Sequence, residues 1–153
     1  MTTPIWDWAL EVYARPGVEV ALLDLQDRHG QCVPYLLWAL WAAPELETLA
    51  LGADLARGWS GAVIEPLRSA RRAAKAERPG LDNSGRLALR EALKASELSA
   101  ERLLLDGLAR LATTGVGPRS SPLDRLAEAG AAWGEGRSQN SLFEPLARAF
   151  SQA

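Results

Sequence analysis

Apolar positions recur at three- and four-residue spacing along most of this chain, and no run alternates with a period of two. That pattern predicts helices and no strands. Ile5, Trp8, Ala9, Val12 and Tyr13 form a first stripe, with Asp7 and Glu11 outside it, and predict a helix reaching about Arg15. Thr3 and Pro4 suit its start, as a hydroxyl cap followed by a residue that lacks an N–H, and Pro16-Gly17 breaks it. A second helix carries Val18, Leu22, Leu25 and His29 on one face and stops at Gly30, a residue suited to a left-handed cap. Val33 to Ala43 then reads Val-Pro-Tyr-Leu-Leu-Trp-Ala-Leu-Trp-Ala-Ala, without a charge or a glycine. A helix apolar on every side is stable in water only when other elements wrap it, so this segment is the expected buried centre. It is far short of the roughly 20 residues that a membrane span needs.

Glu45 to Arg57 predicts a fourth helix through Leu46, Leu49 and Ala53, which Gly58-Trp59-Ser60-Gly61 is expected to interrupt. A fifth follows through Val63, Ile64, Leu67, Ala70 and Ala74, with Pro66 in its first turns or at a bend. Residues 78–85 form the clearest loop. Beyond it Leu89, Leu93, Ala100, Leu104, Leu108 and Leu111 hold one face without a change of phase, which predicts a single rod from Arg86 to about Thr113. Residues 115–122 read as a second loop whose Ser121-Pro122 starts another helix through Leu123, Leu126, Ala127 and Trp133. After a loose polar stretch from Gly134 to Asn140, Ser141 to Phe150 completes the pattern. The fold class expected is all-α, a single-domain bundle of seven to eight helices spanning 1–153. The first, second, fifth and sixth helices should enclose segment 33–43, and 115–153 should form a looser C-terminal arm or lid.

Composition narrows the function classes. A hydrophobic share of 48% against 24% charged residues suits a folded soluble domain rather than a disordered chain. The formal net charge of -2 offers no global attraction to nucleic acid or to an anionic membrane. The sum hides an asymmetry: residues 1–60 carry roughly three basic and eight acidic side chains, and residues 61–110 roughly ten and seven. One Cys and one His fall short of a zinc set, and no phosphate loop, dinucleotide glycine pattern or nucleophile elbow occurs, so no metal, cofactor or catalytic residue is expected. Met-Thr-Thr-Pro-Ile-Trp-Asp-Trp has neither the basic nor the apolar region of a signal peptide, which points to the cytoplasm.

Two constellations could carry chemistry. The junction Leu25-Gln-Asp-Arg-His-Gly-Gln-Cys-Val gathers Asp24, Asp27, Arg28, His29 and Cys32. Two carboxylates one turn apart beside an imidazole could line a polar pocket. The plainer reading is a helix end where Asp24 pairs with Arg28, His29 meets a terminal carbonyl and Cys32 packs as a small apolar residue. The second is Arg68, Arg71, Arg72 and Lys75, one face of a helix that follows Trp59. Such a cationic stripe could grip an acidic partner or stand as a solvated face opposite Leu67, Ala70 and Ala74. Trp38 and Trp41 are expected in the core. Trp6 and Trp8, two apart, cannot share one face, so one of them is an anchor candidate.

The segments Trp6-Asp-Trp-Ala-Leu, Tyr13-Ala-Arg-Pro-Gly-Val, Leu25-Gln-Asp-Arg-His-Gly, Leu36-Leu-Trp-Ala-Leu-Trp, Trp59 and Pro66-Leu-Arg resemble a family of small uncharacterised proteobacterial helical proteins, a domain of unknown function. The resemblance extends to about Leu111 and departs at Cys32-Val33-Pro34, where the family tends to carry polar residues. It implies a soluble bacterial helical protein and no activity. The function expected is therefore a non-catalytic protein-interaction or regulatory module that uses Trp59, Arg68, Arg71, Arg72 and Lys75 toward a protein partner, with a homo-oligomer compatible. The alternative is a small-molecule-binding protein or enzyme with an interhelical pocket near Asp24, Asp27, Arg28 and His29.

Overall fold

The structure is a computed structural model and describes residues 3–112, 120–134 and 140–152. Those residues form α1 (Ile5–Tyr13), α2 (Val18–His29), α3 (Val33–Ala42), α4 (Leu46–Trp59), a π-helical turn (Ser60–Ile64), α5 (Glu65–Ala73), α6 (Asn83–Leu111), α7 (Pro122–Trp133) and α8 (Asn140–Ser151). No strand occurs among them. The all-α bundle expected from the periodicity is the fold.

Helix α3 is its axis. Every residue from Pro34 to Leu40, and Ala42, is buried, and only Val33 and Trp41 stay half-buried. The sheath consists chiefly of α6 and α7, with α4, α2 and α1 completing it. Helix α7 thus takes the place expected of the fifth helix, while α5 packs on α6 instead. Leu126 and Ala129 of α7 and Phe143 and Leu146 of α8 belong to the continuous core. Within that core the Tyr35 hydroxyl donates to the Leu49 carbonyl at 3.0 Å, so the one polar atom of a fully buried phenol is satisfied.

Several local expectations hold and others fail for identifiable reasons. Gly30 ends α2 at φ 62°, in the left-handed region. Ser121 caps α7 in a reciprocal box with Asp124, and residues 83–111 are one rod. Thr3 is not the cap of α1; Pro4 occupies that position and no side chain caps the helix. Trp41 lies at the sheath's margin rather than in the core. The glycines at 58 and 61 do not interrupt the chain, because a widened π turn absorbs Ser60 to Ile64 and carries the helix on into α5. The expected loops at 115–122 and 134–140 fall mostly outside the described residues.

Two glycines mark where helices meet most closely. A Cβ on Gly52 would collide with the ring of Trp38, and one on Gly130 would lie 2.5 Å from Phe143 Cζ. Gly58 faces open space. Both Gly52 and Gly58 are helical, so Ala at either gains the same ~1 kcal/mol of propensity. Overpacking costs about 1–3 kcal/mol and operates at only one of them. Chemical denaturation should therefore find Gly58→Ala more stable than the parent and Gly52→Ala less stable, from identical chemistry.

Candidate functional site

Arg68 is the most buried charged residue among the described residues, 5% exposed. Pro66 and Glu65 sit at the start of α5, and the turn they begin points Arg68 inward toward α6. There Glu97 and Glu101, one turn apart, face it. The guanidinium donates through Nε to Glu97 Oε1 at 2.9 Å, through Nη1 to Glu65 Oε1 at 2.9 Å, and through Nη2 to Glu101 Oε1 at 3.2 Å. Arg71, one turn further along α5, donates from Nε to Glu97 Oε2 at 2.5 Å. A buried charge is tolerable when it is paired and hydrogen-bonded, and here every member is.

The two interior carboxylates are not equivalent. Burial pushes the Glu97 carboxyl up, but hydrogen bonds from Arg71 and Arg68 outweigh it and hold the group below its ordinary range. Glu101 has a single, longer bond from Arg68; burial and the neighbouring Glu97 charge leave its carboxyl raised. The Tyr13 phenol is raised in turn, first by burial and then by Glu19 and Glu101, which places these three groups around one corner.

That corner belongs to a cleft of ≈ 590 Å³ bounded by α1, α2, α5 and α6. Its polar end is the arginine–glutamate network, with Glu19 and Lys94 at the rim. Its apolar wall includes Leu10, Leu23 and Leu98, which are 52%, 39% and 52% exposed, beside Trp6 and Leu37. Arg102 lies 5.2 Å from the centre of the Trp6 ring and fixes the indole at the cleft's edge. On the other side of Arg68 lies a second pocket of ≈ 380 Å³, enclosed by the 30–34 junction, the π turn and Trp133. Its wall includes Gln31, Cys32 and Ser60, with Cys32 Sγ 3.5 Å from Ser60 Oγ. Burial above all pushes the Cys32 thiol up, so it stays protonated and is no thiolate nucleophile.

The residues singled out from sequence are distributed otherwise. Asp24 pairs with Arg28 at 3.2 Å and lies 3.8 Å from His29 Nε2. Asp27 turns away and accepts from Arg72 at 2.9 Å, tying α2 to α5. Asp24 lines a groove of ≈ 490 Å³ between α2 and α8, into which neither Asp27 nor His29 reaches. Arg68, Arg71 and Arg72 are all matched by carboxylates of the same chain. Lys75 is exposed just past the end of α5, and Trp59 is half-buried with Nε1 donating to the Ala100 carbonyl at 2.9 Å. Sequence reasoning overlooked Glu97 and Glu101, although their four-residue spacing answers the Arg68 and Arg71 spacing across a helical hairpin. It also passed over Gln31, for which no pattern gave a signal. Among the described residues no group of His, Cys, Asp and Glu could hold a metal ion, and no helix is long and apolar enough to cross a membrane.

Comparison with known proteins yields no match among curated proteins and none among solved structures. A family model described as a protein of unknown function (DUF2390) matches residues 4–108. That range runs from the start of α1 through nearly all of α6, and so contains α3, the ion network and every residue lining the larger cleft. By this match, which covers more than half of its length, the chain belongs to the DUF2390 family of proteins of unknown function.

Proposed function

We propose that the protein is a non-catalytic interaction module that seats an amphipathic helix of a partner protein in the cleft between α1, α2, α5 and α6. The observation that carries this reading is the company of Leu10, Leu23 and Leu98. Three leucines left exposed on one concave wall form an apolar patch that water alone does not favour, and grooves of this kind take the i, i+3, i+4 side chains of a helix. The volume of ≈ 590 Å³ suits a few side chains, not a whole helix. Glu19 and Lys94 at the rim have no ion-pair partner among the described residues, so the partner should present a basic residue to one and an acidic residue to the other.

The arginines play a different part from that of a contact stripe. Arg68, Arg71 and Arg72 are spent on Glu65, Glu97, Glu101 and Asp27, so they hold α5 against α6 and α2 and keep the cleft's polar end in place. A pocket around Asp24, Asp27 and His29 receives less support, since Asp24 lines the groove between α2 and α8 without the other two and Asp27 is engaged by Arg72.

A photoreactive residue at position 98, incorporated in the producing cell, should yield one discrete protein adduct. The same residue at Leu46, which is 67% exposed on α4 and outside the cleft, should yield none. Leu23→Asp should abolish the position-98 adduct while leaving the thermal midpoint within a few degrees of the parent. Equal adducts from positions 98 and 46, or an adduct that survives Leu23→Asp, would sink the reading; an adduct of doubled mass would identify the occupant as a second copy. The scaffold role has its own test. Glu97→Gln leaves two guanidinium groups poorly compensated and should cost about 3–5 kcal/mol at neutral pH. Because the folded-state carboxyl is lowered from 4.5, its contribution is present above that value and fades as pH falls through the folded pKa. The stability gap between parent and Glu97→Gln, followed by urea denaturation, should accordingly narrow below pH 4.5. A gap that does not change with pH would show that the charge of Glu97 is not what holds α5.

A further inference from the structure

Beyond Arg68 and Glu97 the hairpin of α5 and α6 leaves the bundle as an arm. No residue from 69 to 96 is buried. In this arm α5 and the first half of α6 have little but each other to pack against. Short helices are marginal in water without an apolar face against a neighbour, so exposed apolar side chains on such an arm mark where a partner belongs.

The side of α6 turned toward α5 is defined by Arg86, whose Nη1 donates to the Ala74 and Lys75 carbonyls at 2.7 and 2.8 Å, and by Glu97, which accepts from Arg71. One residue on from that side runs a second line, Leu87, Glu91, Lys94 and Leu98. Its four-three-four spacing is that of the inward positions of a heptad, a straight seam along the helix. All four residues are exposed, Leu87 at 48% and Leu98 at 52%. Neither charge is well matched within the chain. Lys94 has no ion-pair partner among the described residues, and Glu91 meets only Arg90, at 3.8 Å.

This seam is complementary to itself in one direction only. Two copies laid antiparallel, with the two-fold axis midway between Glu91 and Lys94, set Leu87 of each against Leu98 of the other and Glu91 of each against Lys94 of the other. A parallel pairing would oppose Glu91 to Glu91 and Lys94 to Lys94, which is repulsive. A two-fold contact requires just such self-complementarity. Leu98 and Lys94 also line the cleft, so the antiparallel overlay brings Leu87 of the second copy to the cleft wall that carries Leu10, Leu23 and Leu98. The larger charge distribution agrees. Residues 69–96 carry seven basic and three acidic side chains while the whole chain stands at -2, so the basic arm of one copy approaches an acidic body in the other.

We infer that the helix seated in the cleft is the α6 arm of a second copy of this chain, in a reciprocal antiparallel dimer centred between Glu91 and Lys94. The inference rests on the helix-seating reading and names its occupant.

The full-length chain should sediment as a dimer at micromolar concentration. Lys94→Glu and Glu91→Lys each place like charges across the seam and should weaken the dimer by about tenfold or more. Both positions are exposed, so neither substitution disturbs the core. In an equimolar mixture one chain carries two acids along the seam and the other two bases. A one-to-one heterodimer should then return, identified by native mass spectrometry with one variant ¹⁵N-labelled. A parent that stays monomeric at about 100 µM, single variants that dimerise as the parent does, or a mixture that recovers no heterodimer would each overturn the inference. The helix-seating reading has a separate fate. A monomeric parent whose position-98 adduct has the mass of a different protein leaves that reading in place and ends this one, whereas a monomeric parent with no adduct ends both.

Discussion

Enclosing α3 is the constraint on which the rest of this bundle depends. An uncharged helix from Val33 to Ala42 cannot sit on a surface, and burying it on all sides requires neighbours at every azimuth. Because α1, α2, α4, α6 and α7 all spend an apolar stripe on that task, their relative positions follow from its axis. The close approach of Gly52 to the Trp38 ring is a local expression of the same demand, where a missing side chain on the sheath admits a large one from the centre.

Helix α5 does not share in this enclosure and has to be held by other means. Its surface is dominated by charge, and Arg68 is its only buried residue. The ion network therefore replaces an apolar seam between α5 and α6. Ion networks are directional where hydrophobic seams are not, so they fix rotation about the helix axis as well as contact. The two openings flanking Arg68 depend on that fixed rotation: Val33, Pro34 and Arg68 form a partition between them, with the larger cleft on one side and the Gln31 pocket on the other.

Much of the fold was legible because it rests on periodicity. The uncharged run at 33–43 announced a buried centre, the unbroken phase of Leu89 to Leu111 announced a single rod, and Ser121-Pro122 announced a cap. The reading of Arg68, Arg71 and Arg72 as a surface stripe went astray for a physical reason. Helical spacing shows that residues share a face but says nothing of what stands opposite, and the opposing carboxylates on α2 and α6 lie 26 to 45 residues away in sequence. The junction after α2 did lead to a pocket, yet through Gln31 and Cys32 rather than the more eye-catching Asp24, Asp27 and His29. Formal charge drew the eye to Asp24 and Asp27, both of which have partners within the chain.

The π turn between α4 and α5 fixes more than a local bend. A π turn accommodates one residue beyond what a regular helix would use, and each residue turns an α-helix by about 100°. Everything after Ser60 to Ile64 is thus phased by that extra residue. Were the turn shortened to a regular helix, α5 would keep its sequence and its axis but present Ser69 or Leu67 where Arg68 now stands, and the ion lattice would lose its centre. The turn acts as a one-residue phase key: it lets one continuous helix serve an apolar core through α4 and a chiefly electrostatic lock through α5.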